Sequence, residues 1–158
     1  MGDLLTNEPV LCRVHSQCIT GESFFSMRCD CRYQLTESLT QIAEKGRGVV
    51  FYLQQEGRGI GLANKMRAYH LQNMGFDTVE ANHRLGFEDD ERDLAIAAQI
   101  LKSLNLNKIK LMTNNPRKIE LLSEHGIKVA KRIPLIVKAN SKNKNYLHTK
   151  AIKSGHIL

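Results

Sequence analysis

The reading of the fold turns on Val49-Val50-Phe51-Tyr52-Leu53 and the segment after it, Gln54-Gln55-Glu56-Gly57-Arg58-Gly59-Ile60-Gly61-Leu62. A short apolar run closed by a glycine-rich segment predicts a strand buried on both faces. Beyond the turn, Leu62, Met66 and Tyr69 share one face at helical spacing, and that helix is expected to stop near Gly75. Strand, turn and helix in this order are the unit from which α/β folds are built.

Working outward, Leu35, Leu39, Ile42 and Ala43 recur as an amphipathic helix ended by Gly46, and residues 10–15 alternate as a strand. Residues 18–34 read as loop, and residues 76–91 as irregular with an acidic end. Leu94, Ala97, Ala98, Leu101 and Leu104 predict the next helix, and residues 109–113 a strand. Asn114-Asn115-Pro116 opens a further helix with proline in its first turn. Strand character returns over 127–137, interrupted at Pro134, and a short helix is expected near 146–153. The expectation is a single α/β domain over residues 1–158, a mixed sheet flanked by helices, with residues 139–158 as a polar basic tail.

Composition bounds the function. A chain of 158 residues can bury a core without disulfide staples. With 42% hydrophobic and 25% charged residues it is near the globular average, which excludes wholesale disorder, collagen and coiled coil. No apolar run approaches the about 20 residues that span a bilayer, and no secretory signal pattern is visible. The net charge of +7 has one source: residues 1–117 carry 14 basic and 14 acidic side chains, and residues 118–158 carry nine and two. That basic quarter reads as a surface for a polyanion or as a solvated lysine-rich face.

All four cysteines, Cys12, Cys18, Cys29 and Cys31, fall in the first fifth of the chain, a distribution unlike a disulfide framework and consistent with the reducing cytoplasm. Cys29 and Cys31 flank one residue, a spacing suited to a shared metal. With Cys18 they make a soft, anionic set of the kind zinc favours, and three protein ligands leave a position for water. Cys12 and His15 stand by as a fourth ligand that would close the site, and buried free thiols are the alternative.

Three other constellations point to an anion. Glu56-Gly57-Arg58-Gly59-Ile60-Gly61 offers backbone N–H groups and a cation at a helix start, although it is neither a dinucleotide fingerprint nor a phosphate loop. Thr113-Asn114-Asn115-Pro116-Arg117-Lys118 brings a hydroxyl, a helix N-terminus and two cations together. Asp89-Asp90-Glu91-Arg92-Asp93 reads as acids complementing a helix dipole. Asp90 and Arg92 share one site provided that they precede the helix proper, since i and i+2 diverge within it.

Taken in order, Arg13-Val14-His15-Ser16, Cys18-x-Thr20-Gly21, Cys29-Asp30-Cys31, Gln55-Glu56-Gly57-Arg58, Val79-Glu80-Ala81-Asn82-His83, Asp89-Asp90-Glu91-Arg92-Asp93 and Thr113-Asn114-Asn115-Pro116 resemble the GTP cyclohydrolase II family over almost the whole chain. The resemblance implies hydrolysis of GTP to formate, pyrophosphate and 2,5-diamino-6-ribosylamino-pyrimidinone 5′-phosphate, which opens riboflavin biosynthesis. It implies zinc on Cys18, Cys29 and Cys31, one ion per chain, and magnesium on the triphosphate. It assigns GTP contacts to Arg13, Val14, His15, Ser16, Gln17, Gln34, Glu56, Gly57, Arg58, Thr78, Thr113 and Lys118. By the same resemblance Asp90 is the proton acceptor, Arg92 the nucleophile toward the α-phosphoryl group, and Tyr69 lies near the reacting ring. A guanidinium is normally protonated and a poor nucleophile, so a charge clamp is the alternative for Arg92.

A cytoplasmic homodimer follows from the resemblance, with neither nucleic acid nor membrane as partner. Relatives fused to a butanone-phosphate synthase domain raise the prospect of an excised domain. Gln17 stands where the family commonly has Glu, Arg32 where Gly is usual, and the segment ahead of Arg13 is shorter than in family members, so N-terminal strands are expected to be missing. The rival classes are a zinc-stabilised nucleic-acid binder, for which 6% aromatics without Trp is poor material, and a paralogue that stalls after ring opening. A base deaminase lacks its signatures here.

Overall fold

In the computed structural model, which describes residues 1–157, β1 (Val10–Ser16) lies inside a four-stranded sheet. It pairs in parallel with β2 (Val49–Leu53), Cys12 opposite Val49 and Ser16 opposite Leu53. On its other side it pairs with β3 (Lys108–Met112), Val10 opposite Ile109. The last strand, β4 (Lys128–Ile133), joins β3 in parallel with an irregularity at Ile109/Lys110. All these pairings are parallel, which corrects the expected mixed sheet. Each connection runs through helices that return the chain to the same end of the sheet, so no hairpin forms.

The connections are α1 (Ile19–Glu22) and α2 (Cys31–Lys45) between β1 and β2; α3 (Gly61–Asn73), α4 (Thr78–Arg84) and α5 (Ala95–Ser103) between β2 and β3; and α6 (Pro116–Glu124) between β3 and β4. A final helix, α7 (Lys144–Lys153), follows β4. On one sheet face Val10, Cys12, Val14, Ile109 and Leu111 pack with Ala97, Ala98 and Leu101 of α5 and Leu122 of α6. On the other, Met112, Leu11 and Val50 pack with Ile42 of α2 and with Leu135. Strand residues alternate between faces, so Arg13 and His15 follow Leu11 onto the α2 side. The strand order β2-β1-β3-β4 changes direction between β1 and β3, where open α/β sheets bind ligands beyond the carboxyl ends of their strands.

Several local expectations change. β2 is an edge strand and Tyr52 is 44% exposed, so it is not buried on both faces. Leu62 and Met66 of α3 are exposed while Lys65 and Ala68 turn inward, the reverse of the apolar-stripe reading. The segment 18–34 is not all loop, because α1 lies within it and α2 starts at Cys31. Residues 76–91 hold α4, begun by a capping box: the Asp77 carboxylate accepts from the N–H groups of Val79 and Glu80, and the Glu80 carboxylate accepts from the N–H of Asp77. Gly46 ends α2, and Asn115 caps α6 through the Arg117 N–H with Pro116 behind it, as the sequence reads. The basic tail folds back: Lys153 bonds to Asp77 and Glu80 of α4, and the Ile157 N–H donates to the Asn114 carbonyl at 2.8 Å.

Candidate active site

β1 delivers the first sulfur. Two residues past its end, Cys18 meets Cys29 at 3.6 Å, and the ligand atoms of Cys18, Cys29 and Cys31 all lie within 4.8 Å of one another. That contact is close to the edge of about 3.8 Å of a tetrahedron with metal–sulfur bonds of about 2.3 Å. Gly21 leaves room for the group: a Cβ there would stand 2.9 Å from the Cys29 sulfur and 3.2 Å from that of Cys18. The thiols share negative charge. Hydrogen bonds from Cys29 and Cys31, with Lys65 adding, drive the Cys18 pKa far down. Its hydrogen bond with Cys18 pushes Cys29 up to about 11, and Cys31 rises well above the ordinary range for the same reason. A soft divalent cation relieves such a cluster, so the residues fit zinc.

Neither candidate fourth ligand joins them. Cys12 lies in the core, where burial lifts its pKa to about 12. His15 is held at 2.6 Å by Glu22 and stacks on Tyr52, and burial lowers its pKa to about 4. Among the described residues the sulfur group has three members.

Lys65 braces the cluster. Its Nζ donates to the Cys18 sulfur at 3.1 Å and to Glu56 Oε1 at 2.6 Å, and Glu56 Oε2 accepts from the Ile19 N–H at 2.7 Å. One carboxylate therefore ties the residue after Cys18 to the turn Glu56–Gly59 that follows β2. In that turn Gly57 and Arg58 both take left-handed φ, 64° and 62°. Arg58 accepts a conformation that costs a side chain of order 1 kcal/mol or more, a feature that clusters at ligand sites. Its guanidinium donates to the Asp89 carbonyl at 3.2 Å.

The cations converge where β1 meets β3. Arg13 donates to the Met112 carbonyl at 2.9 Å and to Gln34 Oε1 at 2.6 Å, while Lys118 Nζ reaches the Val14 carbonyl at 2.9 Å. Burial, reinforced by Arg92 and Arg13, pushes the Lys118 pKa well below its usual value. Asp90 and Arg92 precede α5, as a shared site requires. Arg92 Nε donates to Asp90 Oδ1 at 2.7 Å and Nη2 to Oδ2 at 2.5 Å, with Nη1 3.4 Å from the Ser16 hydroxyl. Burial opposes both charges, and the pairing outweighs it: Asp90 sits below the usual carboxylate range and Arg92 above its own.

One pocket unites nearly all the residues singled out from sequence. Cys18, Cys29, Cys31, Tyr69, Asp90 and Arg92 line it, as do Arg13, His15, Ser16, Gln17, Gln34, Glu56, Gly57, Arg58, Thr78, Thr113 and Lys118. Val14 does not; its side chain is in the core and its carbonyl serves Lys118. Tyr69 is fixed by the Thr20 hydroxyl at 3.2 Å. Lys65, Tyr146, Lys150 and His156 also line the pocket and were missed. Lys65 carried a faint signal, one turn after Gly61 and four residues before Tyr69; the C-terminal three carried none beyond basic charge.

A family model described as GTP cyclohydrolase II matches residues 1–134. The chain belongs to the GTP cyclohydrolase II family. GTP cyclohydrolase-2 of Shigella boydii serotype 18 (strain CDC 3083-94 / BS512) is 57% identical over 157 residues, which span 99% of this chain and 80% of that protein. GTP cyclohydrolase-2 of Escherichia coli O9:H4 (strain HS) matches to the same extent. Membership makes the protein a hydrolase, and among the described residues no helix is long and apolar enough to cross a membrane.

Proposed function

We propose that the protein hydrolyses GTP, opening the imidazole ring at carbon 8 and releasing formate and pyrophosphate to leave 2,5-diamino-6-ribosylamino-pyrimidinone 5′-phosphate, the first step of riboflavin biosynthesis. The observation that carries this reading is a three-sulfur cluster beside a pocket of buried cations. Zinc held by Cys18, Cys29 and Cys31 would supply a Lewis acid that activates water at neutral pH.

The chain's own residues bind, orient and move protons. Lys65 holds the Cys18 sulfur and is itself held by Glu56. Burial raises the Tyr69 pKa, so its hydroxyl stays protonated and orients the purine beside the sulfurs. Asp90 is ionised at neutral pH and bound through both oxygens to Arg92, so it takes up the proton of the attacking water only as Arg92 turns from it to the phosphates. Arg13, Arg58 and Lys118 take the triphosphate, whose roughly four negative charges call for several convergent cations and a magnesium ion. Arg92 acts as a clamp on the departing phosphates: Asp90 keeps its guanidinium protonated, and a protonated guanidinium has no lone pair with which to attack phosphorus. The reading includes a cytoplasmic homodimer. A nucleic-acid binder would need a fourth ligand to close the zinc.

The test is formate release from GTP with zinc and magnesium, with and without a zinc chelator. Formate should appear, stop with chelation and be lost in Cys29→Ser; unchanged release from that variant removes the metal from the mechanism. Arg92→Ala should suppress pyrophosphate release while Arg92→Lys retains part of it. A formylated intermediate without free formate would mark a paralogue that stalls after ring opening.

A further inference from the structure

One cation of the tail over residues 139–158 is neither solvated nor paired at the surface. Lys150 of α7 is 7% exposed, and its Nζ donates to Asp30 Oδ1 at 2.8 Å across 120 residues of sequence. Asp30 is 1% exposed and stands between Cys29 and Cys31. Its other oxygen accepts from Gln34 Nε2 at 2.5 Å, and Gln34 Oε1 accepts from Arg13 Nη2 at 2.6 Å. The four side chains form one buried line from α7 to β1, and Lys150, Gln34 and Arg13 line the pocket.

The order along that line is cation, anion, amide, cation. Gln34 donates with one end and accepts with the other, so Arg13 meets a neutral oxygen in place of the carboxylate. Its Nη1 is bonded to the Met112 carbonyl, and its Nε has no hydrogen-bond partner among the described residues. Removing the Lys150 ammonium would leave Asp30 a buried carboxylate without a counter-charge, a strongly unfavourable state. Arg13, one amide away through Gln34, is the next cation along the line.

We propose that Lys150 is a positioning residue of the anion site: by neutralising Asp30 it leaves the charge of Arg13 available to the triphosphate. This rests on the reading of the pocket as a GTP site. Lys150 is not the sole fastening of this tail: Lys153 reaches Asp77 and Glu80, and the Ile157 N–H reaches the Asn114 carbonyl.

The experiment compares the full chain with Lys150→Met, Asp30→Asn and the double variant. Binding of a GTP analogue with a methylene β,γ bridge is measured by calorimetry, alongside zinc content and thermal melting. Lys150→Met should weaken analogue binding about tenfold, the loss of one charge-assisted contact. Asp30→Asn/Lys150→Met should recover to within about twofold of the parent, because no unpaired carboxylate remains to capture Arg13. A merely structural lysine would show its loss, and its rescue in the double variant, in the melting temperature alone, with analogue affinity of the folded Lys150→Met protein unchanged. Analogue binding by Lys150→Met equal to the parent, or a double variant no better than Lys150→Met, overturns the proposal. Should Lys150→Met fail to fold, Lys150→Gln takes its place, since an amide keeps a hydrogen bond to Asp30 without the charge: weakened analogue binding by the folded Lys150→Gln protein supports the proposal, and binding equal to the parent overturns it. A parent chain that binds zinc but not the analogue refutes the GTP reading and this inference with it.

Discussion

Replacing Gly21 by alanine should damage metal binding without damaging the fold. The added Cβ would sit 2.9 Å from the Cys29 sulfur and 3.2 Å from the Cys18 sulfur. Heavy atoms settle at about 3.5 Å or more, so a sulfur must move by about 0.6 Å. Zinc sites hold ligand distances to within about 0.2 Å, a third of that displacement. In the metal-free protein the thiols escape by rotating about χ1, and alanine is the better helix former by up to about 1 kcal/mol. The metal-free melting temperature should therefore hold or rise. Affinity for zinc, read by competition with a chromophoric chelator, should fall at least about tenfold, the scale of perturbations beside metal ligands. The stabilisation that zinc confers on the parent by mass action should shrink in parallel. A Gly21→Ala protein that binds zinc within about twofold of the parent would refute the convergence of the three sulfurs on one ion.

Other outcomes follow from the same geometry. Lys65→Met should lower zinc affinity by about 10- to 100-fold and depress the melting temperature, since it strips Cys18 of a donor and leaves Glu56 buried without a cation; Lys65→Met/Glu56→Gln should regain the stability and not the affinity. Arg58→Gly should stabilise the fold by about 1 kcal/mol of relieved left-handed strain, read as a higher melting temperature, while raising KM for GTP; an unchanged KM would remove Arg58 from the site. Lys118 has its pKa lowered in the folded protein from 10.5, so the unfolded chain holds more protons and stability rises with pH until 10.5 is passed. A bound triphosphate favours the charged form, so calorimetry in buffers of different ionisation enthalpy should show net proton uptake within the alkaline range below 10.5, and no uptake anywhere in that range would contradict a buried, depressed Lys118.

Much of the molecule was legible because its signals are local. Gly46, Asn115 and Pro116 mark helix ends by backbone chemistry that any neighbourhood respects. The Asp77–Glu80 capping box is equally local, and it lies inside a segment whose composition otherwise reads as irregular. Apolar periodicity failed where the assembly, and not the helix, chooses the buried face. On α3 the inward position belongs to Lys65, because Cys18 and Glu56 wait there to satisfy it.

The sequence by itself determined the alternation of strands and helices, the chain order of the motifs and the chemistry on offer: three thiols in one short segment, glycines at a turn, cations at a helix start. Tertiary structure alone decided that the sheet is parallel throughout, that β2 is an edge, that Cys12 and His15 stand apart from the sulfur cluster, and that Lys150 of a nominally solvated tail is buried against Asp30. The physical reason is range. Propensity and capping act over a few residues, whereas burial of a charge is tolerated only when its counter-charge arrives from elsewhere in the chain, and no local pattern records that arrival.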